Sequence, residues 1–218
     1  MDFKQRVKLA VGRVRQMMEP PIKQENITDY AAYLKTQREG YAAKINTVFV
    51  REENIVAIAN YALSRSPVRS VLCHGTRNGA EQRFFQNAIG GASVLGTEVG
   101  NGASAFPNTI EWDFHDVKPE WVGGWDLIYS NSWDHAAYPE RAFKAWASCL
   151  SPNGLLVLEH TELHTVRHVR GLDPFGASYQ GLIRFADNTL SPGHRVIHEL
   201  APLPFHENDQ RAIVIGKC

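Results

Sequence analysis

Residues 125–158 read WDLIYSNSWDHAAYPERAFKAWASCLSPNGLLVL and contain two short apolar runs of the β type. These runs, Asp126–Tyr129 and Leu155–Leu158, flank a stretch with a helix-like pattern. A strand, a helix and a second strand in this order form a βαβ unit, and the two strands of such a unit lie parallel. The stretch therefore predicts a parallel sheet with helices packed against it.

The same alternation continues toward the N-terminus, whereas the C-terminal end differs. Three further β-type runs come earlier, with helix-like stretches between several of them: Ser70–Cys73, Ser93–Thr97 and Thr109–Trp112. Near the C-terminus, Arg195–Leu200 and Ala212–Ile215 are joined by the short link Ala201–Gln210, which has no room for a crossover helix. Two strands joined in this way are expected to be antiparallel. We predict an α/β domain with a mostly parallel seven-stranded sheet and an antiparallel C-terminal strand.

Composition narrows the class of protein. The 218 residues suffice for one good-sized domain, and 23 basic residues balance 23 acidic ones. Without a net positive charge there is no global field that would attract nucleic acid, so we expect no nucleic-acid partner. The three cysteines are odd in number and far apart, which argues against a disulfide framework and fits a reducing compartment. No apolar run approaches the ~18 residues of a membrane span, and no signal-peptide pattern opens the chain, so we expect a cytoplasmic protein.

Residues 1–50 are predicted to form an N-terminal helical extension to the main domain, residues 51–218. In residues 3–18, apolar residues recur at helical spacing among basic ones, and Pro20-Pro21 ends the pattern. This helix packs on the domain or on a partner subunit, as in a homodimer, or it rests on an anionic membrane surface. Two more helices are expected within residues 27–64.

A glycine-bearing turn follows the first of the seven predicted strands. The segment Val71–Glu81 reads VLCHGTRNGAE, in which Gly75 and Gly79 let the backbone approach a ligand closely. Nineteen residues beyond Gly79 comes Glu98, at the end of the second strand. In doubly wound sheets, an acidic residue about 20 residues on binds ribose hydroxyls. The pattern favours a nucleotide-like ligand.

The end of the third predicted strand carries Asp113 and Phe114. A carboxylate at this position is able to accept a hydrogen bond from an adenine amino group, and an aromatic ring beside it packs on the base. Together with Glu98, these residues suggest that an adenosine group binds at the carboxyl edge of the sheet.

From about Asn54 to Cys218 the chain resembles the class I S-adenosylmethionine-dependent methyltransferases. The resemblance lies in the aromatic-Asp pair Trp125-Asp126 with its apolar strand, in His135, in a helix opened by Pro139, and in the Leu-x-Pro-x-Gly pattern of residues 150–154. It implies a Rossmann-like, doubly wound fold and S-adenosylmethionine as the cofactor.

The resemblance also implies a cofactor site at the ends of the first four strands. Its residues are Gly75, Arg77, Gly79, Glu98, Asp113, Phe114, Ser130 and Asn131. Two residues depart from the family pattern. Arg77 stands where the middle glycine of the turn is usual, and Cys73 stands where an acidic residue commonly ends the first strand.

Candidate catalytic residues follow the fourth and fifth strands. We predict that His135 accepts a proton from the methyl acceptor, and that Asp134 orients His135 or holds substrate. His160 is the alternative base. If the segment after it were helical, His160, His164 and His168 would share a face, a spacing that can hold a divalent metal. Because the metal-dependent enzymes of this fold use carboxylates instead, we expect no metal site.

The expected reaction is O- or N-methylation of a small-molecule or sugar-containing acceptor. Residues 161–193 are longer than a simple crossover and, with residues 22–50, are predicted to build the acceptor pocket. The chain lacks the Asn/Asp-Pro-Pro-aromatic tetrad of base-amino nucleic-acid methylases after the fourth strand. The alternatives are an aminopropyl-type transferase, whose acidic polyamine pocket is not evident from the sequence, and a non-catalytic binding or scaffold protein.

Overall fold

The computed structural model describes residues 20–205 and 209–218. The strands are β1 (Ile22–Gln24), β2 (Ser70–His74), β3 (Ser93–Glu98), β4 (Thr109–Glu111), β5 (Trp125–Ser130), β6 (Leu150–His160), β7 (Phe175–Ala177), β8 (His194–Leu200) and β9 (Arg211–Lys217). The α-helices are α1 (Tyr30–Lys44), α2 (Glu52–Arg65), α3 (Ala80–Ala88), α4 (Pro139–Ser148) and α5 (Tyr179–Leu190). The predicted basic helix of residues 3–18 lies outside the described residues, so its role stays a prediction.

Seven of these strands form one sheet in the order β4-β3-β2-β5-β6-β9-β8. Strands β2 to β6 run parallel, and β9 lies between β6 and β8, antiparallel to both. The predicted mostly parallel sheet with an antiparallel C-terminal strand is therefore confirmed. The strand order reverses beside β2, and in such sheets ligands bind outside the carboxyl ends of the strands at this point.

The central strands are apolar along their length because helices cover both faces of the sheet. Leu72, Ile128 and Leu156 pack on one face with α4 and α5, while Leu127 and Val157 pack on the other with α2 and α3. Across the two clusters, every buried residue except Tyr179 is less than 8% exposed. Burying one such side chain contributes about 1.5–3 kcal/mol, and the two layers hold the strand ends in register.

A second, two-stranded sheet was not predicted from the sequence. In it β1 pairs antiparallel with β7, with Ile22 opposite Ala177. Each strand has only three residues, too few for a periodic pattern. The pair ties the segment that precedes α1 to the 161–193 insertion.

The expected helices of residues 27–64 are α1 and α2, but the histidine-bearing segment after β6 is not an α-helix. It forms a single 3-10 turn, Glu162–His164, capped by the Thr161 side chain. His160 belongs to β6, so the helical face on which a three-histidine metal site depended does not exist.

No helix within residues 20–205 and 209–218 has the length and apolar character needed to cross a membrane.

Candidate functional site

The glycine-bearing turn brings the end of β2 against the end of β5. Gly75 and Gly79 have φ angles of +74° and +76°, and Arg77 between them has +45°. A Cβ atom at Gly75 would lie 2.6 Å from the Ser132 Cβ atom, so only glycine fits without displacement. Arg77 adopts a left-handed conformation that is uncommon for a residue with a side chain.

Glu98, at the end of β3, holds this turn in place. Its Oε2 atom accepts a hydrogen bond from the Arg77 amide (2.9 Å), and its Oε1 atom accepts bonds from the amides of Val99 (2.8 Å) and Gly100 (3.2 Å). Burial raises the pKa of Glu98, although these amides and the Arg77 charge oppose that shift. Glu98 also lines a cavity.

Asp113 follows β4 and is held by α1. Its carboxylate accepts hydrogen bonds from the Tyr30 hydroxyl and from the Nδ1 (2.7 Å) and backbone amide (3.0 Å) of His115. Burial on its own would raise the pKa of Asp113, but the bonds from His115 and Tyr30 outweigh it and hold the pKa below its ordinary value. Asp113 is therefore an ionised acceptor at the carboxyl edge of the sheet.

Two adjacent cavities lie at this edge. The smaller, about 50 Å³, contains Glu98, Asp113 and Phe114 in its wall and is roofed by α1. The roof residues are Tyr33, Gln37, Gly40, Tyr41 and Lys44. The larger cavity, about 240 Å³, lies between the Gly75–Asn78 turn and the Asn131–His135 loop. Both are lined by Gly75, Ser132 and His135, so they form a continuous site.

Ser130 and Asn131 occupy different places in this site. The Ser130 hydroxyl is fully buried, donates a hydrogen bond to the His74 carbonyl oxygen (3.1 Å) and accepts one from the Ser132 amide (3.0 Å). Ser130 thus shapes the loop and does not line either cavity, whereas Asn131 lines the larger one. Gly79 caps α3 and is likewise absent from both linings.

His135 is oriented by α1. Its Nδ1 atom lies 2.9 Å from Gln37 Oε1, and Gln37 Nε2 donates to the Leu172 carbonyl oxygen at 2.8 Å. Its Nε2 atom lies 3.5 Å from Asp173 Oδ1. His135 is thus fixed between the roof helix and the 161–193 insertion, at the junction of the two cavities.

Asp134 faces the larger cavity and is 5% exposed. Its Oδ1 atom has no hydrogen-bond partner among the described residues. Burial raises its pKa to about 7, while the nearby His135 opposes the shift. A buried carboxyl oxygen without a partner is costly, and such sites often exist because a ligand completes them.

His160, the alternative base, is placed away from the cavities. Its Nε2 atom lies 2.9 Å from the Ala177 carbonyl oxygen, and its ring stacks on Trp133. Burial lowers its pKa to about 4. His160 lines neither cavity and joins β6 to β7.

Two buried glutamates complete the larger cavity, and the sequence reasoning missed them. Glu81, in the first turn of α3, has an Oε2 atom without a partner in the described part of the chain, and burial raises its pKa to about 8. Glu159 is 2% exposed and accepts a hydrogen bond from the Tyr129 hydroxyl (2.7 Å). For Glu159 a signal was available in the sequence, because a charged residue directly follows the apolar run of β6. Buried carboxylates are rare unless they are paired, so such a residue indicates a functional contact.

The fold was compared with known protein families, curated proteins and solved structures. No family model matches the sequence, and no curated protein matches it at a significant level. Among solved structures, the Burkholderia thailandensis 1,6-didemethyltoxoflavin-N1-methyltransferase, crystallised with S-adenosylhomocysteine, is similar with a TM-score of 0.63 at 13% identity, over 88% of this chain and 91% of that one.

Two further structures show the same likeness. A chain from the complex of the Haloferax volcanii Trm112 methyltransferase activator with its methyltransferase partner gives a TM-score of 0.61 at 18% identity, over 84% and 96% of the two chains. The [4+2]-cyclase SpnF gives 0.57 at 12% identity, over 74% and 80%. The protein has the Rossmann-like fold of the class I S-adenosylmethionine-dependent methyltransferases. The cyclase illustrates that this fold carries more than one chemistry.

Proposed function

We propose that the protein is an S-adenosylmethionine-dependent methyltransferase that acts on a small-molecule acceptor. The observation that carries this proposal is the site at the ends of β2 to β5, where Glu98 ends β3 and Asp113 follows β4 beside the glycine-bearing turn. The likeness to a small-molecule methyltransferase crystallised with S-adenosylhomocysteine supports it.

The residues of the smaller cavity fit the adenosine part of the cofactor. A carboxylate offers about four acceptor positions, and backbone amides occupy three of those on Glu98. One position on Oε2 remains, so Glu98 would bind one ribose hydroxyl, not the pair that an unengaged carboxylate would bind. Asp113 Oδ2, which accepts one bond from Tyr30, would accept another from the adenine amino group, and Phe114 would pack on the base.

The smaller cavity must enlarge to admit a nucleoside. Its volume of about 50 Å³ falls below the roughly 300 Å³ at which ligand pockets begin. The part of the wall that is able to move is the roof helix α1. It contacts the sheet edge through side chains such as Tyr41, whose ring lies against Gly100. We therefore expect α1 to shift outward when the cofactor binds.

The larger cavity fits the methionine part of the cofactor together with the acceptor. Methyl transfer from a sulfonium is an in-line displacement, in which the carbon–sulfur bond breaks as the bond to the acceptor forms. Much of the rate comes from aligning the reacting atoms. His135 and Asp134 line this cavity, and we propose that they contact the acceptor's nucleophilic group.

One observation favours a second candidate, aminopropyl transfer. Glu81, Asp134 and Glu159 all line the larger cavity and are each at most 7% exposed. Such a wall suits a polyamine. Affinity for decarboxylated S-adenosylmethionine above that for S-adenosylmethionine would favour this reaction over methylation.

Calorimetric titration of the full chain with S-adenosylmethionine, S-adenosylhomocysteine and NAD tests the proposal. Binding of the two sulfur compounds, with no heat from NAD, is the expected result. Binding of NAD alone would assign the site to another class of nucleotide enzyme.

A further inference from the structure

The hydrogen bonds around Gln37 determine which nitrogen of His135 carries a proton. Gln37 Nε2 must be the donor to the Leu172 carbonyl oxygen, so the atom that Gln37 turns toward His135 is its oxygen, Oε1. A carbonyl-type oxygen only accepts hydrogen bonds. His135 Nδ1 therefore carries the hydrogen, and in the neutral ring Nε2 has a free lone pair.

This lone pair faces two carboxylates. Asp173 Oδ1 lies 3.5 Å from His135 Nε2, and the ligand atoms of Asp134, His135 and Asp173 all lie within 4.8 Å of one another. Asp134 is buried, and its Oδ1 atom has no hydrogen-bond partner in residues 20–205 and 209–218. Three potential ligand atoms of Asp134, His135 and Asp173 thus converge where the Asn131–His135 loop meets the 161–193 insertion.

A neighbouring histidine does not neutralise this cluster. His164 Nδ1 accepts a hydrogen bond from the Thr161 amide (2.9 Å), so its Nε2 atom carries the hydrogen and donates to the Asn131 carbonyl oxygen (3.1 Å). His164 Nε2 is 3.9 Å from Asp134 Oδ1, which is beyond hydrogen-bond distance. His164 is a neutral ring that is already bonded elsewhere.

We propose that a carboxylate oxygen of Asp134, His135 Nε2 and Asp173 Oδ1 bind a divalent metal ion. Nitrogen and oxygen ligands bind such ions as Zn²⁺ and Mn²⁺ at about 2.1 Å, which puts two ligands of a tetrahedral site about 3.4 Å apart and opposite ligands of an octahedral site about 4.2 Å apart. The pair of His135 and Asp173 already has such a separation at 3.5 Å. No pair is more than 4.8 Å apart, so the widest pair would close by at most about 0.6 Å to reach the octahedral limit.

The surroundings of His135 match those of metal-binding histidines. Such histidines donate their second ring N–H to an oxygen acceptor, which fixes the ring and raises the basicity of the ligating nitrogen. Gln37 Oε1 is this acceptor here. From the sequence no metal site was expected, and the metal spacing discussed there concerned the histidines that end or follow β6. The proposed site instead joins the Asn131–His135 loop to the 161–193 insertion.

The site opens on the larger cavity, since all three ligands line it. Three protein ligands leave at least one coordination position for a water molecule or an acceptor oxygen. A hydroxyl bound to such an ion loses its proton near neutral pH. This role rests on the proposed function, whereas metal binding itself does not.

The test measures metal binding without any cofactor or acceptor. Full-length protein treated with EDTA and then dialysed is titrated with Mn²⁺ by electron paramagnetic resonance and with Zn²⁺ by calorimetry. We expect one ion per chain, and at least a tenfold loss of affinity in Asp134→Asn and in Asp173→Asn. Glu162→Gln, which removes an exposed carboxylate in the neighbouring 3-10 turn, is the matched control and should bind as the wild type does.

Further measurements distinguish loss of the metal site from misfolding and from failure of the proposed methyltransferase function. Gln37→Leu removes the acceptor behind His135, together with the donor to the Leu172 carbonyl oxygen, and should weaken Mn²⁺ binding by about 10- to 100-fold. Each variant's circular dichroism spectrum is compared with that of the wild type, and its affinity for S-adenosylhomocysteine is measured in EDTA. Equal metal affinity in the wild type and in the folded Asp173→Asn variant, or no binding by the wild type, would overturn the proposal.

Discussion

Gly75 and Ser132 are packed so closely that no side chain fits between the ends of β2 and β5. The Ser132 hydroxyl donates a hydrogen bond to the Gly75 carbonyl oxygen (3.1 Å), and a Cβ at Gly75 would lie 2.6 Å from the Ser132 Cβ. The contact sets the width of the site, because Gly75 and Ser132 line both cavities.

Gly75→Ala should therefore destabilise the fold and weaken cofactor binding. Gly91→Ala separates the causes, because Gly91 has φ +83° but no atom within 4 Å of an added Cβ. We expect Gly91→Ala to cost about 1 kcal/mol from backbone strain alone, and Gly75→Ala to cost about 1–3 kcal/mol more from overpacking. Chemical denaturation measures the free energy of unfolding of both variants. Equal losses of stability would show that Ser132 moves aside for the added Cβ atom at no energetic cost.

Glu98→Ala should lower stability as well as affinity. The substitution leaves the amides of Arg77, Val99 and Gly100 without their acceptor, and each unsatisfied buried group costs about 1–3 kcal/mol. Loss of a ribose contact should weaken S-adenosylhomocysteine binding by about 10- to 100-fold.

Glu98→Gln keeps one acceptor oxygen and should fall between the wild type and Glu98→Ala in both calorimetry and thermal unfolding. Affinity unchanged in a folded Glu98→Ala variant would move the ribose site elsewhere.

His135→Ala should reduce turnover by about 10²- to 10⁴-fold, whether the ring takes the acceptor's proton or holds a metal ion. His160→Ala should chiefly reduce stability, since this ring is bonded to Ala177 and lies outside both cavities. Steady-state kinetics beside thermal unfolding separates the two effects. A folded His160→Ala variant with impaired turnover and a fully active His135→Ala variant would reverse the assignment.

The pKa of Glu81 predicts a pH dependence of stability. Burial raises this pKa from an ordinary 4.5 to about 8 in the folded chain, so folding takes up a proton between these values. The contribution of protonated Glu81 to the free energy of unfolding is therefore fully present below pH 4.5 and is lost as pH rises through 8. It is lost because the unfolded chain ionises Glu81 at a lower pH than the folded chain does. Glu81→Gln cannot ionise, and we expect its melting temperature to fall less than that of the wild type between pH 5 and 8.5.

Glu120→Gln is the control for this measurement, because Glu120 is exposed. The melting temperature of Glu120→Gln should change with pH as that of the wild type does. Parallel profiles for the wild type and Glu81→Gln would mean that Glu81 is ionised inside the folded protein and is paired with a cation.

The sheet was predictable because its signals are local, whereas much of the site was not. Glu98 and Asp113 follow apolar runs and lie where the sequence placed them, but their bonds to Arg77 and Tyr30 depend on contacts between distant segments. Gln37 and Asp173 reach His135 only because α1 and the 161–193 insertion fold over the same sheet edge. Side chains that are 38 to 98 positions apart carry no joint pattern along the chain.

The short β1–β7 pairing has a consequence for the timing of the reaction cycle. It fastens the strand that leads into α1 to the strand that follows Asp173. If α1 lifts to release spent cofactor, the attached insertion is pulled with it, and the contact between His135 and Asp173 opens in the same movement. Nucleoside exchange and opening of the His135–Asp173 contact would then be coupled in one movement.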